Sequence, residues 1–139
     1  MKEYVFYEDP GHGWLRVPTL ELVKLGIADK ITPCSYIHPS GKWVYLEEDC
    51  DMTTFLIAKI YDYVATDWKD AAMKLNKDEG QKWFRENVET DDSATIYPGH
   101  DSIVRGFPGF NPPKPKADPF IDDIARQMVF DLAAHDGAA

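Results

Sequence analysis

Residues 34–64, CSYIHPSGKWVYLEEDCDMTTFLIAKIYDYV, carry two different periodicities in succession. Cys34–His38 and Lys42–Leu46 flank Pro39-Ser40-Gly41, and Trp43 and Tyr45 alternate with Val44 and Leu46. Alternation across a Pro/Ser/Gly turn predicts a β-hairpin. From Met52 the repeat lengthens: Met52, Phe55, Leu56, Ile60, Tyr63 and Val64 recur at spacings of about three and four, which predicts an amphipathic helix of roughly 14 residues. Between hairpin and helix lies Glu47-Glu48-Asp49-Cys50-Asp51. Asp49 or Asp51 is predicted to cap the helix, and acids suit its positive N-terminal end.

Upstream, Tyr4–Tyr7 and Trp14–Val17 are short β-prone runs around the turn-rich Glu8–Gly13, which predicts another hairpin with a long loop. Pro18 can occupy a helix's first turn, Leu20, Val23 and Leu25 supply a short apolar face, and Gly26 is a C-terminal cap. Residues 1–66 therefore read β-β-α-β-β-α. The predicted fold class is α+β: a small antiparallel sheet built from two hairpins with packed helices.

Downstream, residues 67–90 have a helical period. Trp68, Ala72 and Leu75 form one stripe, Asp78 followed by Gln81 resembles a capped start, and Trp83, Phe84 and Val88 follow. Asp91-Asp92-Ser93 breaks this pattern, Ala94–Tyr97 is a candidate strand, and Ser102–Phe110 is punctuated by Gly and Pro and predicted extended or looping. Residues 1–110 thus form the predicted domain. Residues 111–119 carry four prolines and read as a semi-rigid linker. In residues 120–139, Phe120, Ile121, Ile124, Ala125, Met128, Val129 and Leu132 define one face of a last helix before a short tail. That apolar stripe must fold back on the core or pair with another chain, which makes a homodimer one of two expected arrangements.

Composition limits function. The 139 residues carry 24 Asp+Glu against 15 Lys+Arg, a formal charge of −9. Residues 1–66 contribute −4 and residues 67–139 contribute −5, so the charge is evenly spread. This argues against direct nucleic-acid binding, which needs Lys and Arg to neutralise phosphates. Two cysteines, Cys34 and Cys50, are too few for a disulfide-stapled secreted domain and read as reduced thiols, with a Cys34–Cys50 disulfide as the lesser reading. The N-terminus has no signal-peptide pattern, and no apolar run approaches the roughly 18 residues of a membrane span. The expectation is a cytoplasmic protein, away from the membrane, with no cofactor.

The pattern GHGWLRV at 11–17, LGIADKI at 25–31 and YLEEDCD at 45–51 resembles a group of small proteins from Gram-negative bacteria, their phages and mobile elements. Ser102-Ile103-Val104-Arg105-Gly106-Phe107 is similar to a segment common near the end of that group, with one extra residue before the arginine. The resemblance covers Tyr7–Asp51 strongly and extends weakly to Phe110. The chain departs from the group in a longer region 66–95 and in the linker and helix beyond 110. What the resemblance implies is a small accessory protein of a phage or mobile element, in the cytoplasm of the bacterial host cell; it implies no activity.

Four groups of residues are candidate sites. Glu47, Glu48, Asp49 and Asp51 are candidate binding residues, dense enough to mimic a phosphate row or to hold Ca²⁺ or Mg²⁺, although a helix N-terminus favours acids in any case. Arg105 and Phe107 combine a guanidinium with aromatics, a common recognition pair that also packs well on a sheet. Phe120, Ile124 and Met128 are the contact residues of the last helix. His12 stands between two glycines; with Asp9, His100 and Asp101 it can make a metal set if the two Gly-His loops meet, and otherwise it completes a turn with its ring bonded to backbone. The functional expectation is a non-catalytic accessory protein that binds a host protein, in the manner of an inhibitor of a nucleic-acid-targeting defence complex (anti-CRISPR or antirestriction type). The alternative is a metal-assisted hydrolase using His12, His100 and nearby carboxylates. A third reading, a DNA-binding regulator, follows the similarity of Val17–Ile27 to strand-to-helix turns of AbrB-like transcription factors and is opposed by the charge.

Overall fold

The computed structural model describes residues 2–92 and 102–111. Within them the expected ββαββα order is present: β1 (Tyr4–Glu8), β2 (Gly13–Pro18), α1 (Thr19–Lys24), β3 (Tyr36–Ile37), β4 (Trp43–Glu47) and α2 (Asp51–Tyr61), with one 3-10 turn at Ala28–Lys30. Two further helices follow, α3 (Trp68–Lys74) and α4 (Lys77–Asn87), then β5 (Val88–Asp91) and a 3-10 turn at Ile103–Gly106. No helix among the described residues is long and apolar enough to cross a membrane.

The fold is α+β around a five-stranded sheet of order β3-β4-β2-β1-β5. The two predicted hairpins are both formed, β1 with β2 and β3 with β4, and they join antiparallel through β2 and β4, with Leu15 opposite Leu46 and Val17 opposite Val44. One strand departs from the purely antiparallel expectation. Val88–Asp91, read in sequence as the end of a helical region and the start of the break after it, is a strand parallel to β1, with Tyr4 opposite Val88. Only Val88 in this four-residue run is apolar, so no alternation announces it; the free edge of β1 supplies its partners.

The period-2 pleat sorts side chains onto two faces. Tyr4, Phe6, Leu15, Val17, Val44 and Leu46 join Leu22 of α1, Phe55 and Leu56 of α2, and Val88 in the main core. Trp14 and Tyr45 face the other way and are covered by Val104, with Tyr7, Tyr36, Trp43 and Phe107 around them. Helices thus close one face, and the predicted extended segment 102–110 closes the other. That segment is also stitched to the sheet edge: Ile37 N–H donates to Pro108 O at 2.8 Å and Phe110 N–H to Ser35 O at 2.8 Å.

Several predicted ends are moved. Gly26 does follow α1 with a left-handed φ of 74°, the conformation that favours glycine. α2 stops at Tyr61 because Asp62 adopts φ 55°, leaving Tyr63 and Val64 exposed beyond the helix. Neither Asp49 nor Asp51 caps α2: Cys50 is the N-cap and makes no side-chain cap bond. Asp51 is buried instead, accepting from Thr32 N–H at 3.1 Å, Thr32 Oγ1 at 2.9 Å and Ser35 Oγ at 2.5 Å. The α4 cap is Asn76, accepting from Glu79 N–H at 3.1 Å, rather than Asp78. The linker and last-helix readings, and the strand at Ala94–Tyr97, lie outside the described residues.

Candidate functional site

The four-residue connection Asp9–His12 between β1 and β2 is organised by one carboxylate. Asp9 has a fully buried side chain that accepts from Gly11 N–H and His12 N–H, both at 2.9 Å, and from Ser102 N–H at 3.0 Å. Arg105 completes the set with Nε at 2.6 Å and Nη2 at 3.0 Å, a bidentate pair. Arg105 above all, with the backbone N–H groups, holds the Asp9 carboxyl well below the usual carboxylate range. The Arg105 guanidinium carbon also lies 5.1 Å from the centre of the Trp14 ring. One ion pair therefore locks the hairpin loop to a segment more than 90 residues later and fixes Arg105 over an aromatic floor.

Beside this lock is a groove of about 420 Å³ lined by His12, Trp14, Cys34, Tyr36, Glu47, Asp49 and Arg105. It unites residues singled out from separate parts of the sequence: His12 from the first loop, Glu47 and Asp49 from the acidic run, Arg105 from the late segment. The β2–β4 pairing sets Trp14 opposite Glu47, and that register brings the loop and the acidic run together. His12 Nδ1 lies 3.3 Å from Glu47 Oε1, so its ring pairs with a carboxylate rather than with backbone. Glu47 Oε2 accepts from Asp49 N–H at 2.9 Å, which ties the start of the acidic turn to the end of β4. Burial, then the charges of Asp49 and Glu47, push the Glu48 carboxyl above its ordinary range.

His12, Glu47, Glu48 and Asp49 each offer one ligand atom, all within 4.8 Å of one another, so together they could reach a single cation. This set differs from the sequence expectation. Asp9 is saturated by Arg105 and backbone donors, and His100 and Asp101 lie outside the described residues. Among the other expected site residues, Asp51 turns away from the groove to anchor Thr32 and Ser35. Phe107 packs on Tyr45 with ring centres 5.1 Å apart and on His38 at 5.1 Å, so it belongs to the sheet cover. Phe120, Ile124 and Met128 also lie outside the described residues.

Asp9, Trp14, Cys34 and Tyr36 were not among the proposed binding residues. In the sequence Asp9 reads as a turn former and as a member of the possible His12 metal set; its role in an ion pair is not readable there, because its partner Arg105 is distant in the chain. Trp14 and Tyr36 were legible as strand residues, and alternation alone does not say which face becomes a groove. Chemically, the groove combines three carboxylates at or beside its wall, one imidazole and two aromatic rings, while the charge of Arg105 is offset by buried Asp9. The Cys50 thiol is pushed up to about 12 chiefly by burial, so it is held mainly as the thiol and reacts slowly. The carboxylates and ring faces of this groove are chemically suited to attract positive charge. No family model, curated protein or solved structure matches the chain.

Proposed function

We propose that this protein is a non-catalytic binding module that docks on a partner protein and takes up a basic side chain of that partner in the His12–Glu47–Asp49 groove. The observation that carries the reading is the convergence of Glu47, Asp49, Trp14 and Tyr36 on one concave surface beside an arginine already neutralised by Asp9. Carboxylates over aromatic rings suit an ammonium or guanidinium group, and a pre-formed lock on the loop reduces the ordering cost of binding. The resemblance to accessory proteins of phages and mobile elements makes a host protein the partner class, a nucleic-acid-targeting defence complex included, and the bacterial cytoplasm the place of encounter. The apolar stripe of Phe120, Ile124 and Met128 is proposed to pair two copies of the chain.

The test is affinity capture from a bacterial host with the wild type and with the Glu47→Gln/Asp49→Asn pair. Removing the carboxylates facing a desolvated cation costs about 2–5 kcal/mol, roughly 30-fold or more in affinity. A photo-crosslinker attached at Cys34 should join the captured partner at a segment bearing Lys or Arg. A partner held equally by the double variant overturns the reading.

A second reading, a divalent-cation centre supporting hydrolysis, is favoured by the mutual reach of His12, Glu47, Glu48 and Asp49. A ligand that binds only the folded state raises its stability by mass action. Titration with Mg²⁺, Mn²⁺ and Zn²⁺ should then raise the melting temperature in the wild type and not in His12→Ala; a flat response to all three removes it.

A further inference from the structure

Cys34 and Cys50 lie on separate segments, the loop before β3 and the N-cap of α2. The tertiary structure brings both to one hydroxyl: Thr32 Oγ1 is 3.5 Å from Cys50 Sγ and accepts from the Cys34 N–H at 3.2 Å. Asp51 holds the segments in place, because it adjoins Cys50 in the chain and bonds Thr32 and Ser35 on either side of Cys34. Both thiols are free; Cys34 is exposed on the groove wall and Cys50 is half-buried behind it. The Cys50 thiol donates to Asp51 Oδ1 at 3.7 Å.

We propose that Cys34 and Cys50 are a dithiol modification site that closes to an intramolecular disulfide by exchange with a small-molecule disulfide of the oxidised-glutathione class. Exposed Cys34 reacts first. Cys34 gives its proton to solvent, its thiolate attacks one sulfur of the small disulfide, the S–S bond breaks, and one small thiolate leaves and takes up a proton. Cys50 sulfur then attacks the Cys34 sulfur of the mixed disulfide, its proton passes to Asp51 Oδ1 and on to water, and the second small thiol leaves. Two protein thiols are oxidised and one small disulfide is reduced to two thiols. Burial of Cys50 makes the second step the slower one. Cys34 lines the groove, so its modification changes the groove wall. The inference needs no partner and stands apart from the docking reading.

The experiment uses the reduced full-length protein, graded oxidised glutathione, an alkylating quench, intact-mass measurement and peptide mapping. Expected is a product that has lost two hydrogens, takes up neither glutathione nor alkylating agent, and yields a linked Cys34–Cys50 peptide. Native positioning should lower the oxidised-glutathione concentration for half-closure by about tenfold or more relative to the urea-unfolded chain. Cys50→Ser should trap glutathione on Cys34. A wild type that ends as a stable glutathione adduct, or that closes no more readily folded than in urea, overturns the proposal.

Discussion

Replacing Asp9 by Asn removes the charge from the carboxylate that joins the β1–β2 loop to residues 102–110. The change is nearly isosteric, so packing is retained while Arg105 loses its counter-ion and an amide NH₂ is turned toward existing donors. Removing one partner of a buried ion pair costs about 3–5 kcal/mol. The Asp9 side chain is fully covered but that of Arg105 is 31% exposed and can rehydrate, which favours the low end, about 3 kcal/mol. The pH dependence has a definite sign. Asp9 titrates lower in the folded protein than in the unfolded chain, so its contribution is fully present above the ordinary carboxylate range and declines as pH falls through it. The gap between wild type and Asp9→Asn should be constant from about pH 6 upward and narrow by about 1 kcal/mol at pH 3. Urea unfolding at both pH values, followed by tryptophan fluorescence with the slope compared between proteins, measures it. A loss under 1 kcal/mol at pH 7, or a gap that widens on acidification, would refute the assignment of Asp9 and Arg105 as the lock.

Other substitutions test the rest of the architecture. At Gly13 a Cβ would overlap the ring of buried Phe6, so Gly13→Ala should lower stability by about 1–3 kcal/mol in the same urea assay. Val104 is fully buried between segment 102–110 and the sheet; Val104→Ala deletes two methyl groups and should cost about 2 kcal/mol, with faster proteolysis near residues 102–110. Deleting residues 112–139 should convert a dimer to a monomer in sedimentation, and a full-length monomer would refute pairing through the Phe120, Ile124 and Met128 stripe.

Much of the fold was legible because each element carries its own local signal. Alternation at Trp43–Leu46, turn residues at Pro39–Gly41 and Gly26, and the helical repeat from Met52 to Ile60 each report a backbone state that neighbours along the chain largely decide. The caps were less legible. Asp49, Asp51 and Asn76 are all good capping residues, and the winner depended on what lay across space: Thr32 and Ser35 drew Asp51 inward and left Cys50 at the helix start. Val88–Asp91 had no alternation of its own and became a strand because β1 offered an open edge.

The candidate site divides in the same way. His12, Glu47, Asp49 and Arg105 were recognisable individually, by glycine flanks, charge density and aromatic company, since those properties are local. Their assembly depended on the β2–β4 register and on the Asp9–Arg105 ion pair, contacts between residues far apart in the chain. The amino-acid sequence by itself determined the ββαββα order of residues 1–66, the acidity and the chemical types available for a site. Only the tertiary structure decided which carboxylate was consumed as a lock, which faced the groove, and which two thiols became neighbours, because such pairings are set by packing and desolvation across the sheet rather than by spacing along the chain.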